Sequence, residues 1–299
     1  MLKTIFYGCG AESVARYVCS QIQIVPQSIN QSINQSIDFL LAEIGGIAYC
    51  DQNSELWGTT YFGLPVISPT EVQKTDYDRI VITACSTDAI LFDLTQKYEV
   101  NEDKIISEPA SQLNRSRNHF VHTFASLAKK RGLRGNVAEG GVYQGNYAKE
   151  INAAFPDSTL YLFDTFEGFV KTETHNDEAY VKTGRTHSHF RNTSVQTVMN
   201  NLPYPNNAII RKGFFPESAT DVDGDFVFVN LDFDLYAPIL AGLEFFYPKL
   251  VIGGVILIHD YFASEVFAAN KAVDEFCLAH NLYPLPIGDV LSVAIIKQQ

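Results

Sequence analysis

Short apolar runs alternate with longer stretches of mixed polarity along the whole chain, the pattern of strands separated by helices. Leu2–Tyr7, Ile47–Cys50, Arg79–Ala84 and Lys104–Ile106 read as strands, and Gly63–Pro69 as a strand-like connector. Helices are predicted after the Gly8-Cys9-Gly10 turn through Ser20, over Asp38–Ile44, and over Ala89–Tyr98. Between them Gln27–Ile37 repeats Gln-Ser-Ile-Asn in tandem, too briefly for a solenoid, and reads as an exposed or partly helical duplication. This alternation predicts an open parallel sheet. Glu108–Asn118 is polar and contains Pro109, so the domain boundary is placed there, with domains over 1–110 and 111–299.

The second unit repeats the alternation. Helices are predicted over His119–Lys130, Tyr147–Phe155, Ala237–Tyr247 and Ser264–Ala279. Strands are predicted over Asn136–Ala138, Thr159–Phe163, Ala208–Arg211, Phe226–Leu231 and Gly254–His259. Phe226–Leu231 is apolar enough for a central strand buried on both faces. Leu282–Pro286 and Val290–Lys297, split by Gly288-Asp289, read as a closing antiparallel hairpin.

Composition narrows the partners. The 299 residues are 46% hydrophobic and 19% charged, with a net charge of −12. That acidity argues against a nucleic acid or an anionic membrane as partner. No apolar run is long enough to span a bilayer. Met1–Tyr7 is basic and then apolar but stops at Gly8, with Glu12 and Arg16 following, so no signal peptide is expected. The five cysteines, Cys9, Cys19, Cys50, Cys85 and Cys277, form no CxxC pair and read as buried thiols in a reducing cytoplasm. A homo-oligomer acting on a small molecule is the expected form.

Candidate chemistry gathers where strands end. Glu139-Gly140-Gly141-Val142-Tyr143-Gln144-Gly145-Asn146 follows a strand and opens a helix. Glycines there let backbone approach a ligand, and the helix start offers free N–H groups to a carboxylate. Glu139 adds a negative charge for an ammonium or sulfonium, although such a turn also serves dinucleotides or pure structure. Asp164, before Thr165 and Phe166, ends the next strand, where an acid can accept both ribose hydroxyls. Asp232 and Asp234 follow Phe226–Leu231, and His259-Asp260-Tyr261 follows the next strand. Two carboxylates and an imidazole from adjacent strand ends suit a divalent cation, magnesium first. The alternative is that Asp232, Asp234 and Asp260 are helix N-caps. Phe169–Met199 is long, polar and charged, and reads as a lid in which His187 and His189 are solvated rather than metal-binding.

Five motifs occur in order: Glu139–Gly145, Asp164–Phe169, Gly213–Glu217, Leu231–Tyr236 and His259–Tyr261. Over about residues 112–299 the chain resembles the macrocin O-methyltransferase (TylF/MycF) family of class I S-adenosylmethionine-dependent methyltransferases. The resemblance implies an α/β Rossmann-like sheet with a C-terminal antiparallel hairpin. It implies methylation of a sugar hydroxyl with S-adenosylmethionine and a divalent cation, Mg2+ with Mn2+ as the second choice. It places the cofactor on Glu139, Gly141, Gly145 and Asp164, with Gly140, Tyr143, Asn146, Thr165 and Phe166 beside them. It places metal on Asp232 and Asp260 and a general base at Asp234. The family usually carries Asp-Asp-Tyr where this chain has His259-Asp260-Tyr261, so His259 is either a third metal ligand or a base. Residues 1–110 resemble small Rossmann-like N-terminal domains of sugar-modifying enzymes through Gly8-x-Gly10, Asp51, Gly63–Pro69 and Tyr77–Ile82. That implies nucleotide or nucleotide-sugar binding, or dimerisation. Two rival readings are a scaffold with a degenerate methyltransferase domain and an NAD oxidoreductase, the latter weakened by Ser13 at the place of a third glycine.

Overall fold

A computed structural model describes residues 2–8, 45–61, 63–83, 87–169, 190–262, 268–289 and 291–298. The chain divides into two compact units, Met1–Asn114 and Arg115–Gln299. The helices predicted before Ser20 and over Asp38–Ile44, the tandem repeat, Cys9, Cys19, Cys85, His187 and His189 lie outside the described residues.

In the first unit, strands β1 (Thr4–Tyr7), β2 (Gly46–Cys50), β4 (Leu64–Ile67), β5 (Arg79–Ile82) and β6 (Ile105–Ile106) are parallel, and β3 (Thr60–Tyr61) pairs antiparallel with β4. The sheet order is β3-β4-β2-β1-β5-β6. β1 is buried throughout, as a central parallel strand must be, and Ile5, Tyr7, Cys50, Ile80 and Ile82 share one core. The connector after β4 holds a short helix, α1 (Pro69–Val72), whose start is fixed by the Glu71 carboxylate accepting from Ser68 N at 2.8 Å. The predicted helix Ala89–Tyr98 is α2 (Thr87–Phe92) followed by a π-helical turn, Asp93–Lys97.

The boundary segment Glu108–Asn118 is helical: the helix expected from His119 is longer, α3 (Glu108–Arg131), and the division between units falls within it. Pro109 does not prevent this, because the first helical turn has no hydrogen-bond partner for its N–H groups.

The second unit contains β7 (Asn136–Gly140), α4 (Asn146–Ala154), β8 (Leu160–Asp164), α5 (Val195–Asn201), β9 (Ala208–Lys212), β10 (Phe226–Leu231), α6 (Tyr236–Phe246), β11 (Leu250–Ile258), α7 (Ala268–His280), β12 (Leu285–Pro286) and β13 (Val293–Ile296). The order is β12-β13-β11-β10-β7-β8-β9. β7 to β11 run parallel, while β13 is antiparallel to β11 and β12 to β13, which gives the expected hairpin. All six residues of β10 are buried. A register shift between Phe226 and Phe228 sends these two rings to opposite faces of the sheet. Phe226 joins Phe163 and Phe246 on one face, and Phe228 joins Phe124 and Phe155 on the other. The chain order reverses between β7 and β10, which opens a crevice at their C-terminal ends. Cys50 and Cys277 are buried thiols, and burial with Asp274 nearby pushes the Cys277 thiol up to about 11.

Candidate active site

The β7–β10 crevice gathers most of the predicted residues. β7 ends in Glu139 and Gly140, and Gly141 follows with φ +82°. A side chain on Gly140 would run into the Phe233 ring, and one on Gly141 into the Asp232 carbonyl. The glycines are therefore required by close packing of the chain after β10, a stronger reason than cofactor approach alone. Gly145, at φ +80°, opens α4 and would bring a Cβ to 3.0 Å from Val198 Cγ1.

Asp164 holds the glycine turn in shape. Its Oδ2 accepts from Val142 N and Tyr143 N, both at 2.8 Å, and its Oδ1 from Phe166 N at 2.7 Å. A carboxylate offers about four acceptor positions, so one remains for a ligand. Thr165 Oγ1 closes the next turn by donating to Gly168 O at 3.1 Å. The Tyr143 hydroxyl donates to Asn192 Oδ1 at 2.6 Å, and its ring packs edge-on against Phe190. The far end of the expected lid thus docks on the turn and runs into α5, which begins within it; residues 170–189 lie outside the described set.

Glu139 is buried, with 1% exposure. Its Oε1 accepts from Asn230 Nδ2 at 3.1 Å, while Oε2 has no hydrogen-bond partner among the described residues. Burial drives this carboxyl well above the usual range, and Arg117 opposes that. Arg117, on α3, donates from Nη2 to both Asn230 Oδ1 and Asp232 Oδ2 at 2.9 Å. Its guanidinium lies over the Tyr147 ring, 4.0 Å from the centroid.

On the other side of Asp232 stands His259. Its Nδ1 is 3.2 Å from Asp232 Oδ1 and 3.0 Å from Asp260 Oδ1, but the ring N–H points squarely at neither, so these are ion contacts rather than formed hydrogen bonds. Burial and Arg117 disfavour a charged imidazole, yet Asp232 and Asp260 outweigh them and raise its pKa well above the ordinary value. Against the cost of burial, His259 and Arg117 hold Asp232 below the usual carboxylate range. Burial also opposes charge on Asp260, which the neighbouring His259 keeps below the usual carboxylate range. Asp232 and Asp234 are not helix caps: the N-cap of α6 is Leu235, with no side-chain cap. Asp234 and Asp260 both have positive φ, +62° and +59°, which turns the chain sharply at the mouth of the crevice.

The donor set fits a divalent cation. One ligand atom each from Asp232, His259 and Asp260 lie within 4.8 Å of one another. Bonds of about 2.1 Å at right angles put neighbouring ligand atoms about 3.0 Å apart, close to the 3.2 and 3.0 Å between His259 Nδ1 and the two carboxylates. The unpartnered Glu139 Oε2 in turn fits a cofactor cation. Arg117, Asn230 and Tyr147 escaped the sequence reading. The signals were an arginine on the same helical face as Val121, Phe124 and Ala128, and a lone amide in an otherwise apolar strand.

Residues 99–296 match the model of the macrocin O-methyltransferase (TylF) family. The chain belongs to this family. It is an S-adenosylmethionine-dependent O-methyltransferase. Residues 1–106 match a model described as C2185-like, N-terminal. Among curated proteins it is similar to mycinamicin III 3''-O-methyltransferase of Micromonospora griseorubida, 27% identical over 181 residues, 55% of this chain and 68% of that protein. Among solved structures it is similar to the O-methyltransferase NovP, with TM-score 0.51 and 22% identity over 62% of this chain and 80% of that one. The calicheamicin methyltransferase CalS11 gives TM-score 0.51 and 16% identity over 70% and 91%. These structures share the fold. No helix among the described residues is long and apolar enough to cross a membrane.

Proposed function

We propose that this O-methyltransferase acts on a hydroxyl of a sugar or glycosylated small molecule, with a divalent cation assisting. One juxtaposition carries the reading. An unpartnered, buried carboxylate oxygen on Glu139 and the Asp232, His259 and Asp260 group occupy one crevice. The curated relative, named for a 3''-oxygen of mycinamicin III, favours a glycoside as acceptor.

Glu139 receives the cofactor's ammonium group. Gly140, Gly141, Tyr143, Gly145 and Asn146 form the turn around its methionine part, and Asp164, Thr165 and Phe166 face its ribose. The reaction is an in-line displacement in which the sulfonium methyl passes to the acceptor oxygen. Asp232, His259 and Asp260 hold the cation, which when bound makes an acceptor hydroxyl more acidic and fixes its direction. Asp234 accepts the hydroxyl proton. Most of the rate gain comes from holding the two reactants in line.

Calorimetric titration of S-adenosylmethionine and its demethylated product, with Mg2+, with Mn2+ and after chelation, tests this. Cofactor binding with a saturable metal signal, lost in Asp232→Ala, is expected, and a glycoside screen follows. Cofactor binding without any metal signal removes the cation and leaves Asp234 and His259 as the bases. Absence of cofactor binding overturns the reading.

A further inference from the structure

Arg117 belongs to none of the sequence motifs, yet it is only 11% exposed and joins two acids that the proposed reaction uses separately. Nη2 carries two protons, and each has its own acceptor, Asn230 Oδ1 and Asp232 Oδ2, at 2.9 Å. Asn230, fully buried, passes the connection on by donating to Glu139. Tyr147 covers the guanidinium face, and its hydroxyl donates to the Arg117 carbonyl at 3.3 Å. The planar fork suits this double contact, and a guanidinium keeps its charge at every working pH.

We infer that Arg117 is a positioning residue for both halves of the site: through Asn230 it sets the direction of the Glu139 carboxyl that receives the cofactor's ammonium group and, through the same nitrogen, it fixes the direction of Asp232. The inference rests on the cofactor reading above. Around Glu139, burial, Asp232 and Asp164 disfavour the charged form, and the Tyr147 hydroxyl faces the same pocket. Arg117 and the Asn230 amide oppose them. Without the guanidinium the Asn230 amide loses the donor that orients it toward Glu139, and the carboxyl loses the positive charge that opposes the cost of its burial.

The test titrates S-adenosylhomocysteine calorimetrically into the full chain without added metal, at about pH 6.5 and about pH 8.5. The proteins are wild type, Arg117→Met, Arg117→Gln and Arg117→Lys, each checked for fold by circular dichroism. The neutral variants are expected to bind about tenfold or more weaker than wild type at both pH values, because an oriented, charge-supported contact is lost. Arg117→Lys keeps the charge and should stay within about threefold of wild type at the lower pH. If Arg117→Met fails to fold, Arg117→Gln, which retains hydrogen-bonding capacity, makes the same comparison. A folded neutral variant with wild-type affinity, or an Arg117→Lys loss as large as that of Arg117→Met, overturns the inference and leaves the cofactor reading standing. Failure of wild type to bind sinks the cofactor reading itself.

Discussion

Replacing Asp164 with alanine separates two roles that a ribose-facing acid can have. If the carboxylate only awaits a ligand, its removal leaves the cofactor-free protein as stable as before. The geometry says otherwise, because three backbone N–H groups, from Val142, Tyr143 and Phe166, already donate to it at 2.7–2.8 Å. Hydrogen bonds to a charged acceptor contribute about 1.5–3 kcal/mol each. Asp164 is partly exposed, so water can reach some of the orphaned donors, and the contributions do not add. A net loss of about 2–4 kcal/mol is the expected outcome. For a protein of this size that corresponds to a fall in Tm of roughly 3–6 °C. Asp164→Asn keeps one acceptor oxygen but turns an NH2 toward the donors, so it should recover little. The assay is thermal unfolding in the absence of cofactor, beside calorimetric binding of S-adenosylhomocysteine. An unchanged Tm with lost binding would refute the structural role and leave Asp164 a ligand group alone.

Other consequences are equally direct. Phe228→Ala empties a fully buried ring that packs on Phe124 and Phe155 at 5.8 Å, and should cost about 3–5 kcal/mol, read as a lower urea midpoint at unchanged m-value. Gly141→Ala combines a φ of +82° with a Cβ that collides with the Asp232 carbonyl. It should lose at least about 2 kcal/mol and weaken Mn2+ binding measured by electron paramagnetic resonance. His259 must be neutral to ligate, and its pKa is raised in the metal-free protein, so Mn2+ affinity should rise with pH while about one proton is released per ion. Calorimetry in two buffers of different ionisation enthalpy checks this, and pH-independent binding without proton release would remove His259 from the ligand set.

Much of the second unit was legible because parallel strands buried on both faces appear as unbroken apolar runs. Phe226–Leu231 was read to the residue. The ends of β7 and β11 were less clear, since Glu139 and Gly140 do not look like strand residues, and neither does the Gly253-Gly254 pair within β11. The helix starting at Glu108 was hidden by its polarity and by Pro109, features that a first helical turn tolerates. Asp164, Asp232, His259 and Asp260 could be found as strand-end residues, because the α/β layout sends strand ends to one crevice.

What the motifs could not display is how the charges at that crevice are balanced. Asp232 and Asp260 are adjacent acids with little access to water, and Glu139 lies behind them, more enclosed still. Each needs a nearby cation, since a buried charge without a partner is costly. Two cations are already built in. Arg117, 115 residues earlier in sequence than Asp232, occupies one oxygen of that carboxylate, and His259 faces the other. A divalent ion bound among Asp232, His259 and Asp260 would therefore displace the imidazole proton while leaving the guanidinium in place. In that proposed site the His259 position would tune how strongly metal is held, whereas Arg117 sets a charge that neither pH nor metal would remove.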